Sequence, residues 1–392
     1  MPSEFSSKLQ QELEEGLRAL EARSQRRTLV ELSGVNFCSN DYLGLAEHPK
    51  LKEAVIAAMH AAPRVGGTGS RLLSGNFAIW EEVEAEFAEF AGTEAALYFG
   101  SGYAANVGLL SSLLGKGDLV FSDRLNHASI IDGIRLSGAR KVIYPHLDLN
   151  ALETELRAHA GERGRKLIVT ETVFSMDGDV APMGELVALA ERYGAGLIAD
   201  EAHATAVHGP SGRGITAKYG AVRSLAVIVH TCGKALASAG AFVCGSGALR
   251  EHLINHARTF IFSTAMPTYM AGQIRAALRL AMAMDAERAE LQARAESFAA
   301  ALLAQGWDTR GSATQIVPVM TGGNDETIAA AEFLQREGFA VRGIRPPTVA
   351  EGEGRLRLSL TCAIAAEELA RLRRCLNAWR ETRCGVAAAG RG

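Results

Sequence analysis

Short β-branched and apolar runs recur between about residues 50 and 310, separated by longer stretches of helical periodicity. The runs are Ala96 to Phe99, Leu119 to Ser122, Lys141 to Tyr144, Lys166 to Thr170, Leu197 to Asp200, Ala226 to Thr231 and Ala241 to Cys244. Strands spaced by helices predict βαβ units and a mainly parallel sheet buried on both faces. Before this region, residues 4 to 25 place Leu9, Leu13, Leu17 and Leu20 on one helical stripe among Glu, Gln and Arg, an amphipathic arm that packs on something. After it, one long helical segment from Met266 to Gln305 leads to Ile316-Val317-Pro318-Val319, Ala340-Val341 and Arg355 to Leu360, alternating with two helical stretches. The expectation is an α/β chain: an N-terminal arm over 1–45, a large domain over 46–285 with a mainly parallel central sheet, and a smaller C-terminal α+β domain over 286–392. No internal repeat or low-complexity linker interrupts it, and only Ala387 to Gly392 look frayed.

Composition narrows the function classes. The chain has 392 residues, 48% hydrophobic and 22% charged, with a net charge of −3 that gives no electrostatic footprint for nucleic acid or an anionic membrane. No apolar stretch reaches the roughly 18 residues of a membrane span, and Met1-Pro2-Ser3-Glu4-Phe5 lacks the layout of a signal peptide, so a cytoplasmic protein is expected. The six cysteines, Cys38, Cys232, Cys244, Cys362, Cys375 and Cys384, show no C-x-x-C pairing and read as reduced thiols.

The candidate chemistry gathers where the strands end. Lys234 follows the apolar run Leu225 to Val229, and Asp200 closes the run Leu197-Ile198-Ala199. A lysine at a strand end can form a Schiff base with an aldehyde cofactor. A carboxylate at another can hold a pyridinium nitrogen protonated, the pairing that pyridoxal 5′-phosphate (PLP) needs to act as an electron sink. Gly100-Ser101-Gly102-Tyr103-Ala104-Ala105-Asn106 follows a strand and opens a helix, which presents free N–H groups to a phosphate or is simply a tight βα loop. His127, in Asp123 to Ser129, and Ser175, in Thr170 to Asp179, also lie past strand ends, the edge at which parallel α/β sheets bind ligands; His127 reads equally as a satisfied surface group. The Val65 to Gly75 stretch, rich in glycine, is either a linker or a pocket-lining loop. Arg345 and Arg357, near the rigid pair Pro346-Pro347 and on a strand, are forks for a substrate carboxylate. Rival motifs are weak. Asp200-Glu201-Ala202-His203 spells a helicase signature without a P-loop, G-x-G-x-x-G is absent, and His203 and His208 lack a third metal ligand at a recognisable spacing.

Assembled, these residues resemble the α-oxoamine synthases, fold-type I PLP-dependent transferases. The likeness runs through Asn36 to Leu45, Gly66 to Gly75, Gly100 to Asn106, Asp123 to Ser129, Glu171 to Gly178, Asp200 to His203, Thr231 to Lys234 and Phe262 to Pro267. The Ile344 to Val349 segment followed by Arg355-Leu356-Arg357-Leu358 is most similar to the biotin-pathway member, which joins L-alanine to a pimeloyl thioester of CoA or acyl carrier protein. The resemblance implies that Lys234 carries PLP and removes the α-proton, that Asp200 pairs with the pyridinium nitrogen, and that His203 and Ser175 contact the phenolic oxygen. It implies that His127 stacks on the ring and acts as an acid, and that Thr231 and the Gly102-Tyr103 backbone hold the phosphate, with Ser263 or Thr264 of a second subunit completing a homodimer site. Asn40, Arg345, Thr348 and Arg357 would lie near substrate, with an N-terminal arginine, one of Arg23, Arg26 and Arg27, touching the acyl chain. Two departures stand out: Ala204-Thr205-Ala206 where the family usually carries a glycine, and Ala350-Glu351 where a proline is common. The alternatives are a sibling reaction, with glycine and acetyl-CoA, glycine and succinyl-CoA, or serine and a long-chain acyl thioester, and more remotely a nucleotide-dependent or non-catalytic binding protein.

Overall fold

The computed structural model describes residues 4–389. Twelve strands occur there: β1 (Val35–Asn36), β2 (Ala95–Phe99), β3 (Leu119–Asp123), β4 (Arg140–Tyr144), β5 (Lys166–Glu171), β6 (Gly196–Asp200), β7 (Val227–Thr231), β8 (Ala241–Gly245), β9 (Ile316–Gly322), β10 (Phe339–Ala340), β11 (Gly343–Ile344) and β12 (Gly354–Ser359). Seven form the central sheet in the order β2-β8-β7-β6-β5-β3-β4, where only β8 runs antiparallel to its neighbours. The seven runs expected from the sequence match these strands to within a residue at each end. They were legible because both faces of the sheet are covered, except along the exposed edge strand β4. Leu97, Phe99, Val120, Val169, Ile198 and Val229 enter one apolar core, while the alternate positions Tyr98, Phe121, Ile168, Ala199, Ile228 and Phe242 enter the other. Strands without a wet face carry no polar alternation.

A second sheet, β11-β12-β9, is antiparallel and packs with the helix Asn324–Arg336, on which the helix Ala366–Ala389 lies in turn. β1 belongs to this end of the molecule, because it pairs in parallel with β10. Ser359 N–H then bonds the carbonyl of Phe37, and Cys362 N–H that of Tyr42, so the Phe37–Tyr42 segment is stitched to the C-terminal region.

The sequence suggested one helix from Met266 to Gln305, and the structure corrects this to two, Thr268–Met282 and Asp285–Ala304. The break at Ala283-Met284 is held by Arg288, which donates to the carbonyls of Ala281 and Met282 and pairs with Asp285 at 2.5 Å. Its guanidinium satisfies acceptors that an unbroken helix would have bonded internally. The N-terminal helix, Glu4–Ala22, carries the anticipated stripe, yet within this chain Leu9, Leu13 and Leu17 are 44–57% exposed. The C-terminal helix continues through Ala389, and residues 390–392 of the expected fray, like Met1 to Ser3, lie outside the described residues. No helix among the described residues is long and apolar enough to cross a membrane.

Candidate active site

The carboxyl ends of β2, β3, β5, β6 and β7 open onto one cavity of about 380 Å³. Among its lining residues are Asn40, Gly102, Tyr103, Asn106, His127, Glu171, Asp200, His203, Thr231 and Lys234. Five segments far apart in sequence converge here because each follows a strand of one sheet.

Asp200, the last residue of β6, is 3% exposed, and each carboxylate oxygen has a donor. Asn106 Nδ2 donates to Oδ2 at 2.7 Å and the Ala202 N–H to Oδ1 at 2.9 Å. Its neighbour across the ladder, Glu171, is equally buried, but its Oε1 has no hydrogen-bond partner. Burial first, then the charge on Asp200, push the Glu171 carboxyl well above the usual carboxylate range. Glu171 therefore favours its protonated form beside Asp200.

Lys234 is mostly buried in the cavity wall, with Nζ 3.5 Å from Thr231 Oγ1. Burial lowers its pKa, with Asp200 the main opposing group, which brings the amine closer to its nucleophilic form. His127 caps the helix Ala128–Ser137: its Nδ1 accepts the Ser129 N–H at 3.2 Å and lies 2.8 Å from Ser129 Oγ. Asn106 Nδ2 also donates to that hydroxyl at 3.0 Å, so one amide connects Asp200 to His127 through Ser129. His203 is buried and its pKa is pushed well below the usual value by burial, then by the cations of Lys234 and Arg357 and by His127, which leaves a neutral imidazole.

Opposite, the helix Gly102–Leu113 begins with Ser101 as its cap, the hydroxyl accepting the Ala104 N–H at 3.0 Å. A Cβ on Gly102 would stand 2.7 Å from Thr231 Cγ2, so only glycine lets this helix N-terminus close on the end of β7. The donor set fits PLP: a lysine amine, a buried Asp carboxyl whose two oxygens accept from N–H groups, an imidazole, and a helix N-terminus for phosphate.

A family model, aminotransferase class I and II, matches residues 33–376. An 8-amino-7-oxononanoate synthase from Geobacter sulfurreducens is 47% identical over 95% of this chain and 96% of its own. The chain belongs to the α-oxoamine synthase family of PLP enzymes. Among solved structures, a serine palmitoyltransferase with PLP is similar at TM-score 0.87 and 28% identity, covering 96% of this chain and 98% of that one. The 8-amino-7-oxononanoate synthase of Francisella tularensis is similar at TM-score 0.78 and 28% identity, covering 90% and 99%. The fold is thus the fold-type I PLP transferase fold, and the cofactor is PLP.

Other residues singled out from the α-oxoamine synthase pattern lie outside the cavity lining. Arg357 stands one layer back, donating to Ser175 O (2.5 Å), Asn40 Oδ1 (3.1 Å), Ser359 Oγ (2.6 Å) and Tyr42 Oη (3.3 Å). Ser175 is in the loop Phe174–Asp179, which is pinned twice more. Asp177 forms an ion pair with the buried Arg355, and Asp179 accepts His146 Nε2 at 2.5 Å, while His146 Nδ1 meets Asp123 at 2.9 Å. Arg345 donates to Ser24 O at 2.5 Å and Thr348 accepts Arg27 at 3.1 Å, so both face the N-terminal segment. Of the N-terminal arginines, Arg27 reaches the Pro346–Thr348 turn, whereas Arg23 bonds Ala19 O and Arg26 pairs with Glu21. Thr264 bridges Ser70, and the glycine loop packs on it rather than on the cavity; a Cβ on Gly67 would collide with Ala265 O at 1.8 Å. Glu201 is spent on structure, accepting Thr172 Oγ1, Ile215 N–H and Thr216 N–H. Sequence reasoning assigned no role to Tyr42, Asn106, Ser129 or Glu171, although all four sit inside the segments that carried the resemblance.

Proposed function

We propose that the enzyme condenses L-alanine with a pimeloyl thioester, of CoA or acyl carrier protein, to give 8-amino-7-oxononanoate, carbon dioxide and the free thiol. The observation that carries this reading is the near-complete coverage at 47% identity by the Geobacter sulfurreducens 8-amino-7-oxononanoate synthase, joined to the convergence of Lys234, Asp200, His203 and His127 on one cavity.

PLP, when bound, supplies an electron sink that makes a carbanion at the alanine α-carbon accessible. Lys234 would hold the cofactor through Nζ and, when its amine is free, would take the α-proton of alanine. Its lowered pKa suits both tasks, since a neutral amine is nucleophile and base alike. Asp200, whose two oxygens accept from Asn106 and the Ala202 N–H, would hold a proton on the ring nitrogen. His127 would cover the ring and donate to the thioester oxygen as the new bond forms, and Lys234 would return a proton to the α-carbon once the thiol has departed and the alanine carboxylate has left as carbon dioxide. Thr231 and the Gly102-Tyr103 N–H groups bind the phosphate, with His203 and Ser175 at the phenolic oxygen. Arg357, beside Asn40, anchors the alanine carboxylate, and the Arg27–Thr348–Arg345 group serves the acyl end.

The working unit in this reading is a homodimer. Val65, Leu73 and Phe262 are 70–85% exposed beside the Ser70–Thr264 bridge, an apolar surface suited to a second copy whose Thr264 completes the phosphate site. Heterodimers of Lys234→Ala with a Thr264 variant, each inactive alone, would then recover one intact site.

The deciding experiment is a matrix of alanine, glycine and serine against pimeloyl-, acetyl-, succinyl- and palmitoyl-CoA, scored by product mass and thiol release. Turnover confined to alanine with pimeloyl-CoA is expected. Preference for glycine or serine would move the enzyme to a sibling reaction.

A further inference from the structure

Tyr42 is fully buried between two groups of the site, His203 and Arg357. Its hydroxyl oxygen lies 2.7 Å from His203 Nδ1 and 3.0 Å from Asn40 Oδ1, and it accepts Arg357 Nη2 at 3.3 Å. A phenol has one proton to give and a guanidinium only donates, so the network has two solutions. In the first, Tyr42 donates to His203 Nδ1 and that ring carries its proton on Nε2. In the second, Tyr42 donates to Asn40 and the ring is protonated on Nδ1.

Two observations select the first, and a third makes the phenol a strong donor. The contact with His203 is the shorter, 2.7 Å against 3.0 Å to Asn40. Asn40 Oδ1 already accepts Arg357 Nη1 at 3.1 Å, so it has a donor without Tyr42. The cationic Arg357 on the phenol oxygen polarises the O–H and strengthens it as a donor. Burial, then Lys234, Arg357 and His127, keep the imidazole neutral, so the ring has one N–H whose position matters. Burial likewise keeps the Tyr42 phenol protonated.

We propose that Tyr42 is a positioning residue that donates to Nδ1 of His203, fixes the Nε2–H tautomer, and thereby gives the cavity an N–H donor for the phenolic oxygen of PLP. The same hydroxyl accepts from Arg357, so the group proposed to anchor the substrate carboxylate and the group proposed to contact the cofactor ring are joined through one phenol. The inference rests on the proposed contact between His203 and the ring, but the tautomer itself belongs to the protein alone.

The test is nitrogen NMR of the full-length protein labelled with ¹⁵N-histidine and freed of PLP, with the His203 signals assigned by their loss in His203→Asn. The wild type should show Nδ1 unprotonated and Nε2 protonated. A protonated Nδ1 overturns the proposal without any need for a variant at Tyr42. In Tyr42→Phe, checked for folding by circular dichroism, the two tautomers should mix; an unchanged single Nε2–H form would show that another group sets the ring. With PLP restored, the pH midpoint of the Lys234-bound cofactor absorbance should rise by about one unit in Tyr42→Phe, a tenfold change in proton affinity of the size expected when one hydrogen bond to a charged oxygen is lost. An unmoved midpoint would refute the link to the cofactor. A failed alanine condensation would refute the proposed reaction and leave the tautomer result standing.

Discussion

The ion pairs around His146 predict how stability depends on pH. Its imidazole joins Asp123, at the end of β3, to Asp179, in the loop that carries Ser175. Burial disfavours the charged ring, but the hydrogen bonds to Asp123 and Asp179 outweigh it and hold the group at about 9 against an ordinary 6.5. A shift of about 2.5 units corresponds to roughly 3.4 kcal/mol at 1.36 kcal/mol per unit. With the side chain partly open to solvent, screening reduces this to about 2 kcal/mol. The folded value lies above the unfolded one, so the whole increment is present below about pH 6.5 and is lost as pH rises through about 9. Tyr144, another titratable group facing Asp123, does not contribute to this window, because burial and that carboxylate push its phenol far up, and Glu171, which also feels Asp123, is shifted upward from the carboxylate range. Urea unfolding of wild type and His146→Gln, at fixed protein concentration and followed by tryptophan fluorescence, should therefore show a gap of about 2 kcal/mol at pH 6 that closes toward pH 10. Parallel stability curves across that range would show that His146 is not a charged clamp.

Other substitutions probe the remaining elements. Lys234→Ala should bind PLP without covalent attachment, leaving nothing for borohydride to fix, and should form no product; normal turnover would remove Lys234 from the mechanism. Asp200→Asn should keep the covalent cofactor but lose about a hundredfold in rate, matching about 2–3 kcal/mol for a charged hydrogen bond, and an unchanged rate would place the ring nitrogen elsewhere. Arg357→Ala should weaken alanine binding, read from PLP absorbance without acyl-CoA, by roughly 2–5 kcal/mol. Arg345→Ala, by contrast, should leave alanine binding intact and raise the KM for the acyl thioester. Ala206→Gly should stabilise the fold by about 1 kcal/mol in thermal or urea unfolding, because Ala206 sits at φ 67°, where a Cβ is strained.

That last position shows how a departure in sequence reports on backbone. The missing glycine after the Asp200–His203 motif was legible as lost freedom, and the structure places a left-handed residue there, at Ala206. The central sheet was legible because two-sided burial leaves continuous apolar runs, and the catalytic candidates because each follows such a run. Less could be read where meaning depends on a distant partner. Tyr42 looks like any aromatic until Arg357 and His203 stand on either side of it. Glu171 is ordinary until Asp200 lies beside it across the ladder. The break at Ala283 was hidden because helix-forming residues flank it, and the local signal cannot show that Arg288 turns back on the carbonyls.

The pairing of β1 with β10 sets a timetable for the newly made chain. Val35 and Asn36 leave the ribosome early, but Phe339 and Ala340, the residues they pair with, follow roughly three hundred residues later. At 5–20 residues per second, about 15 to 60 s pass before that partner exists. Until then the Asn40–Tyr42 segment has neither β10 nor the Cys362 N–H to hold it. The sheet that presents Lys234 can already be assembled by that time, so the nascent protein gains its lysine pocket well before the wall that contains Tyr42. A chain arrested before residue 339 would be a folded platform with an unfinished site.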